Sequence, residues 1–208
     1  MQFPRFPGMV KHRTAAEVGL FVQTIQNAGL DPVAVATVIE SESARTWSPS
    51  VHGPKVFTDA PGYPIGLIQF APSTAKMLGT TTADLERMSF AQQLQFVVKY
   101  FNHWGGGKRL KRLADYYAAG LGSGVGTDDS HVIFKEGSPQ YDANKALDKD
   151  HNGTITTGDL SAWMNGLLSQ AKANGYMPVV VAGAAGLEWL LWLGVGWFIV
   201  RRRKARAA

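Results

Sequence analysis

Apolar residues in this chain recur at spacings of three and four, and no stretch alternates apolar with polar residues for more than four or five positions. A helix returns to one face about every 3.6 residues and a strand every second residue, so the pattern predicts a mainly helical fold. Val18, Phe21, Val22 and Ile25 place a stripe on a helix over 14–28, ended by Gly29. Asp31 and Pro32 open a second helix as an N-cap followed by Pro at the first helical position. It runs through Val35, Val38 and Ile39 to about Ser43. Further helices are predicted over 71–79, 81–88, 91–101, 108–119 and 160–173. Residues 44–65 carry four Pro and two Gly and read as a long loop. Loops of that length in compact domains are functional or disordered.

Cysteine is absent, which excludes disulfides and any thiolate nucleophile or metal site. With 45% hydrophobic and 18% charged residues the chain is not of a disordered type. The net charge of +5 comes from Arg201, Arg202, Arg203, Lys204 and Arg206, and the rest is formally neutral. The charge therefore describes a tail and not a nucleic-acid-binding face. Lys108, Arg109, Lys111 and Arg112 read as a solvated helix face, and the five histidines show no paired metal spacing.

Glu40 and Glu42 sit two apart near the end of the second helix, a separation of about 200°. Glu42 lies four residues from Val38 and three from Ile39, so it projects from the apolar stripe. Burial against apolar side chains disfavours a charged carboxylate and raises its pKa toward that of a general acid. Glu42 is thus the candidate acid. Glu40 projects from nearly the opposite face and is expected to be solvated. Asp59, in the long loop, is the one nearby second carboxylate.

Several ordered elements follow Glu42: Ser43, the Trp47-Ser48-Pro49 turn, the Gly66-Leu67-Ile68-Gln69 stretch, then Pro72-Ser73-Thr74-Ala75. In this order they resemble the soluble lytic transglycosylase and goose-type lysozyme superfamily over roughly residues 15–125, and in wording the peptidoglycan-cleaving domains of bacteriophage virion proteins. The resemblance implies a lysozyme-like helical domain in which Glu42 is the catalytic acid/base, Ser43 its polar neighbour and Gln69 a groove residue near the sugar. Gly66 suits a backbone passing close to substrate or to the Glu helix. The family's Ala-Tyr-Asn-Ala-Gly motif is matched in part by Tyr116-Tyr117-Ala118-Ala119-Gly120, which implies that Tyr117 hydrogen-bonds the catalytic Glu. Ala118 replaces the Asn. The implied reaction cuts MurNAc-GlcNAc β-1,4 bonds: Glu42 protonates the glycosidic oxygen, then accepts the 6-hydroxyl proton to give a 1,6-anhydro product. A water-using muramidase, and a non-catalytic peptidoglycan-binding or structural virion protein on the same scaffold, stay open.

Asp148 to Asp159 fits the EF-hand calcium loop, with oxygen side chains of Asp148, Asp150, Asn152 and Thr156, the Thr154 carbonyl, Gly153 at the sharp turn and Asp159 in last position. Asp159 stands where a longer Glu normally chelates, and no second loop is present for Ile155 to pair with. One structural Ca2+ site, not needed for catalysis, is expected. Pro178 to Val200 is apolar except for Glu188 and would span about 34 Å at about 1.5 Å per residue, enough for a bilayer core of roughly 30 Å. The basic tail beyond it favours a membrane anchor. The organisation expected is an N-terminal arm (1–13), a lysozyme-like domain (14–136), a calcium loop and helix (137–175), a transmembrane helix (176–200) and the tail. Residues 1–8 show no export signal. The expected setting is a virion membrane or bacterial envelope, with the domain facing peptidoglycan glycan strands.

Overall fold

A computed structural model describes residues 1–54, 62–179 and 181. The fold is mainly helical, as the spacing predicts. In chain order its elements are β1 (Gln2–Pro4), α1 (Pro7–His12), α2 (Ala15–Asn27), α3 (Pro32–Glu42), α4 (Pro72–Met77), α5 (Thr82–Glu86), α6 (Phe90–His103), α7 (Gly106–Arg109) and α8 (Leu113–Leu121). Then come β2 (Val132–Lys135), α9 (Pro139–Asn144), a short 3-10 turn (Lys145–Leu147), β3 (Thr154–Thr156), α10 (Thr157–Ala173) and β4 (Tyr176–Pro178).

Local chemistry sets the helix starts. Thr14 and Glu17 form a reciprocal capping box on α2, Ser89 and Gln92 on α6, and Thr156 and Asp159 on α10. Asp31 Oδ1 accepts from Val33 N at 2.8 Å, and Pro32 occupies the first turn of α3. The single helix expected over 108–119 is instead two. Asp115 causes the break: its Oδ2 accepts from the backbone N–H of Lys111 and of Arg112, each at 2.8 Å, and so starts α8 afresh.

One hydrophobic cluster joins parts that the sequence assigns to separate segments. Phe3, Phe6 and Met9 are fully buried, so residues 1–13 are no arm but part of the core. They reach it because β1 pairs antiparallel with β4, in register Phe3↔Met177. Leu160, Met164 and Ala171 of α10 are buried in the same cluster, and α10 packs against α8 and α3. The segment 137–175 is thus built into the helical body. Among the described residues no helix is long and apolar enough to cross a membrane. The span expected over 176–200 falls mostly at 180 and 182–200, outside the described residues, as do the tail and Asp59. Tyr176–Pro178, taken with that span on sequence, belongs to the β1–β4 pair.

Candidate active site

The last turn of α3 and the turn that follows fix both glutamates. Glu40 is not solvated: it is 2% exposed, its Oε1 accepts from Gly8 N at 2.9 Å and its Oε2 from the Trp47 indole N–H at 2.6 Å. It does point away from Glu42, as helical geometry requires. That opposite face is covered by α1 and by the Trp47 ring, which the sequence pattern does not reveal. Gly8 permits the approach, since a Cβ there would stand 2.2 Å from Arg45 O. Ala44, Arg45 and Trp47 all have positive φ. Such backbone costs about 1–3 kcal/mol per residue unless its surroundings impose it. Ser43 and Glu40 impose it by holding Trp47 at its backbone N–H and its indole N–H.

Ser43, expected as the polar neighbour of the acid, accordingly has a structural place. It is fully buried, donates to Ile39 O at 2.6 Å and accepts from Trp47 N at 3.0 Å.

Glu42 opens on the other side into a cleft of about 520 Å³, counted to its open mouth. Val38 and Glu42 of α3, Ile68 to Ala71 of the turn before α4, Tyr100 and Phe101 of α6, and Tyr116, Tyr117 and Gly120 of α8 line it. Burial pushes the Glu42 carboxyl up to about 7 from an ordinary 4.5, and a hydrogen bond with Tyr117 partly offsets that rise. The side chain keeps part of its surface open to solvent, so a proton can reach it. Burial also raises the Tyr117 hydroxyl above its ordinary range, and the Glu42 charge adds to this. Tyr100 is pushed up to about 12, first by burial and then by the Glu42 charge. Both phenols therefore stay protonated donors beside the carboxyl. Tyr100 donates to Ala119 O at 2.5 Å, tying α6 to α8 across the cleft floor. Tyr116, the other member of the pair, is core: its hydroxyl accepts from Asp31 N at 2.8 Å and locks the start of α3.

Gln69 lies in the cleft wall with φ +52°, and its Nε2 donates to Val51 O at 3.2 Å and Gly66 O at 3.0 Å. Its buried Oε1 has no hydrogen-bond partner. It packs against Gly53, where a Cβ would fall 1.9 Å from it. The close approach that Gly66 permits is to the Gln93 side chain of α6. Gly66 has φ +82°, and a Cβ would fall 2.3 Å from Gln93 Oε1, the atom that accepts from Leu67 N at 2.8 Å. Gln93, fully buried, also donates to Pro49 O at 2.8 Å and Leu85 O at 3.0 Å, so it pins the turn that carries Gln69. Among the described residues lining the cleft, Glu42 is the one carboxylate.

The structure thus gathers Glu42, Gln69 and Tyr117 into one cleft and leaves Ser43 beneath it. Tyr100, Ser41 and Trp163 also belong to the site's surroundings and carry no signal in sequence spacing. Tyr100 is one more aromatic on an amphipathic helix, and Trp163 comes from α10, 121 positions beyond Glu42.

The calcium-type loop has part of the expected backbone: Gly153 turns with φ +80°, β3 follows, and α10 begins at Thr157. Ile155 does find a partner, Phe134 of β2, instead of a second loop. The side chains, however, are engaged with one another. Asp148 is 1% exposed, and its Oδ2 accepts from Tyr141 Oη at 2.6 Å and Gly153 N at 3.1 Å. Asp159 Oδ2 caps α10 by accepting from Thr156 N at 2.8 Å and Thr156 Oγ1 at 2.7 Å. Asn152 Oδ1 takes both donors of Thr154, and Asn152 Nδ2 donates to Asp150 at 2.8 Å. Among the described residues no group of three acidic or His side chains converges closely enough to hold a metal ion. As it stands the loop fits a hydrogen-bonded turn, and an ion would require Asp148, Asp150 and Asp159 to turn inward.

No family model, no curated protein and no solved structure matches this chain.

Proposed function

We propose that this protein is a peptidoglycan-cleaving enzyme of the lytic transglycosylase type, on a lysozyme-like fold, with Glu42 as its sole catalytic acid/base. The observation that carries the reading is a half-open cleft in which one carboxyl, held near 7 by burial, faces two protonated phenols with no other described carboxylate beside it. A glycosidase that activates water or forms a glycosyl-enzyme uses a second carboxylate across the bond. One carboxyl alone suits a reaction whose nucleophile comes from the sugar. Glu42 gives its proton to the glycosidic oxygen as the C1–O4 bond breaks. As a carboxylate it then accepts the proton of the muramoyl 6-hydroxyl while O6 bonds to C1, which returns the enzyme to its starting state and consumes no water. Tyr117 donates to the carboxylate form, and Gln69 forms part of the cleft wall beside it.

In this reading the protein is a bacteriophage virion component that opens the wall locally during genome entry, tethered by the apolar residues of 182–200 to a viral or bacterial membrane. Mass spectrometry of the products from purified peptidoglycan tests it. 1,6-Anhydromuramoyl ends are expected; reducing ends alone would make the protein a hydrolase, and no release would leave it a binding module.

A further inference from the structure

Helix α10 lies beyond the stretch that resembles transglycosylases, yet it reaches the candidate acid. Trp163 Nε1 donates to Ser41 Oγ at 3.2 Å. Ser41 immediately precedes Glu42 on the last turn of α3, and its hydroxyl is also a partner of the Tyr117 hydroxyl. Tyr117 in turn faces Glu42 in the cleft. The polarity of this chain is fixed at the carboxylate, which can only accept and so takes the one Tyr117 proton, and it agrees with the far end, where an indole N–H can only donate. Ser41 Oγ accepts from it, which leaves the Ser41 proton for the Tyr117 oxygen and the Tyr117 proton for the carboxylate. Hydrogen bonds aligned in one sense strengthen one another. The indole is itself held in place: Lys149 Nζ stands 5.6 Å from the ring centroid, and α10 packs on both α3 and α8, the helices that carry Ser41 and Tyr117.

We propose that Trp163 is a positioning residue for Glu42, orienting the Ser41 and Tyr117 hydroxyls so that both donate toward the carboxylate. The inference rests on Glu42 being the acid/base. The other titratable groups around the cleft are Tyr100 of α6 and Tyr116 of α8, while Arg45 and Lys149 stand on the far side of Trp163. Burial raises both phenols above their ordinary range, so a carboxyl midpoint between pH 5 and 9 that is lost in Glu42→Gln belongs to Glu42.

The test follows the Glu42 carboxyl directly. The full chain, which has six glutamates, is labelled with 13C at the Glu carboxyls, the Glu42 signal is assigned with Glu42→Gln, and the signal is titrated by NMR. Trp163→Phe keeps the ring and removes the donor. It should raise the Glu42 midpoint by about 0.5, Tyr117→Phe by about 1, and kcat on peptidoglycan should fall roughly threefold in Trp163→Phe with KM unchanged. Ser41→Ala should reproduce the Trp163→Phe shift, and adding Trp163→Phe to it should change nothing more, since both cut one chain. An unmoved midpoint in Trp163→Phe, or additive shifts in the double variant, would overturn the proposal. The titration needs no substrate. If the midpoints move as stated while wall cleavage is absent from the unmodified chain, the positioning role stands and the transglycosylase reading fails.

Discussion

Replacing Glu42 by Gln should stabilise the folded protein, and only above a defined pH. The buried carboxyl titrates at about 7 in the folded chain against 4.5 ordinarily. Below 4.5 it is protonated in both states and contributes nothing. Between 4.5 and 7 the unfolded chain releases its proton first, so stability falls as pH rises through that window, and above 7 the loss is complete. At about 1.4 kcal/mol per pH unit the rise corresponds to about 3 kcal/mol, and the solvent-open side of the cleft reduces this to about 2 kcal/mol. Gln is neutral at every pH and still accepts from Tyr117, so Glu42→Gln removes the penalty with little change of shape. For a chain of this size 2 kcal/mol raises Tm by about 4–8 °C. Urea unfolding of both proteins at pH 4.5 and pH 8 isolates the term, because every other titrating group cancels in the difference. The reasoning predicts near-equal stabilities at pH 4.5 and the variant ahead by about 2 kcal/mol at pH 8. A gap no larger at pH 8 than at pH 4.5 would refute the claim that the fold holds this carboxyl in its neutral form.

Glu40→Gln should lower stability by about 1–3 kcal/mol at neutral pH, because the amide NH2 cannot accept from both Gly8 N and the Trp47 indole; equilibrium unfolding measures it. Any loss of wall cleavage in that variant should track its loss of fold and disappear on cooling. Ending the chain after Val181 should leave a stable body, whereas ending it after Gly175 removes β4 and uncovers Phe3, for a Tm lower by several degrees in differential scanning calorimetry. Calcium at 1 mM should raise Tm if the loop turns its oxygens inward. With a Kd near 10⁻⁴ M the gain is about 1.4 kcal/mol, and Asp150→Ala should abolish it; no shift at millimolar calcium leaves the loop a metal-free turn.

Local signals in the sequence carried the fold where they were self-contained. The three-and-four spacing of Val18, Phe21, Val22 and Ile25 and the Asp31-Pro32 start describe neighbours in the chain, and the structure has them, as it has the loop over its described residues 44–54 and 62–65. The face of α3 that carries Glu42 was legible for the same reason. What α3 packs against was not. Glu40 is buried because Gly8 and Trp47 come to it from 32 positions before and seven after, and one helix's periodicity contains no information about either. The N-terminal residues read as an arm because their partner strand lies at 176–178. Ser43 illustrates a further limit: a polar residue beside a candidate acid has two uses, and only the three-dimensional turn shows that its hydroxyl closes the helix instead of facing the cleft. Trp163 looks in sequence like any aromatic on a helical stripe, and its hydrogen bond to Ser41 is visible only once α10 is laid across α3.

The central claim is that Glu42 alone drives cleavage with the sugar's own hydroxyl as nucleophile. Incubating purified peptidoglycan with the full chain and with Glu42→Gln, then analysing the released muropeptides by mass spectrometry, addresses it most directly. The account predicts 1,6-anhydromuramoyl products from the unmodified protein, falling off above pH 7 as Glu42 loses its proton, and none from the variant. Equal release by both proteins, or products bearing only reducing ends, would contradict it.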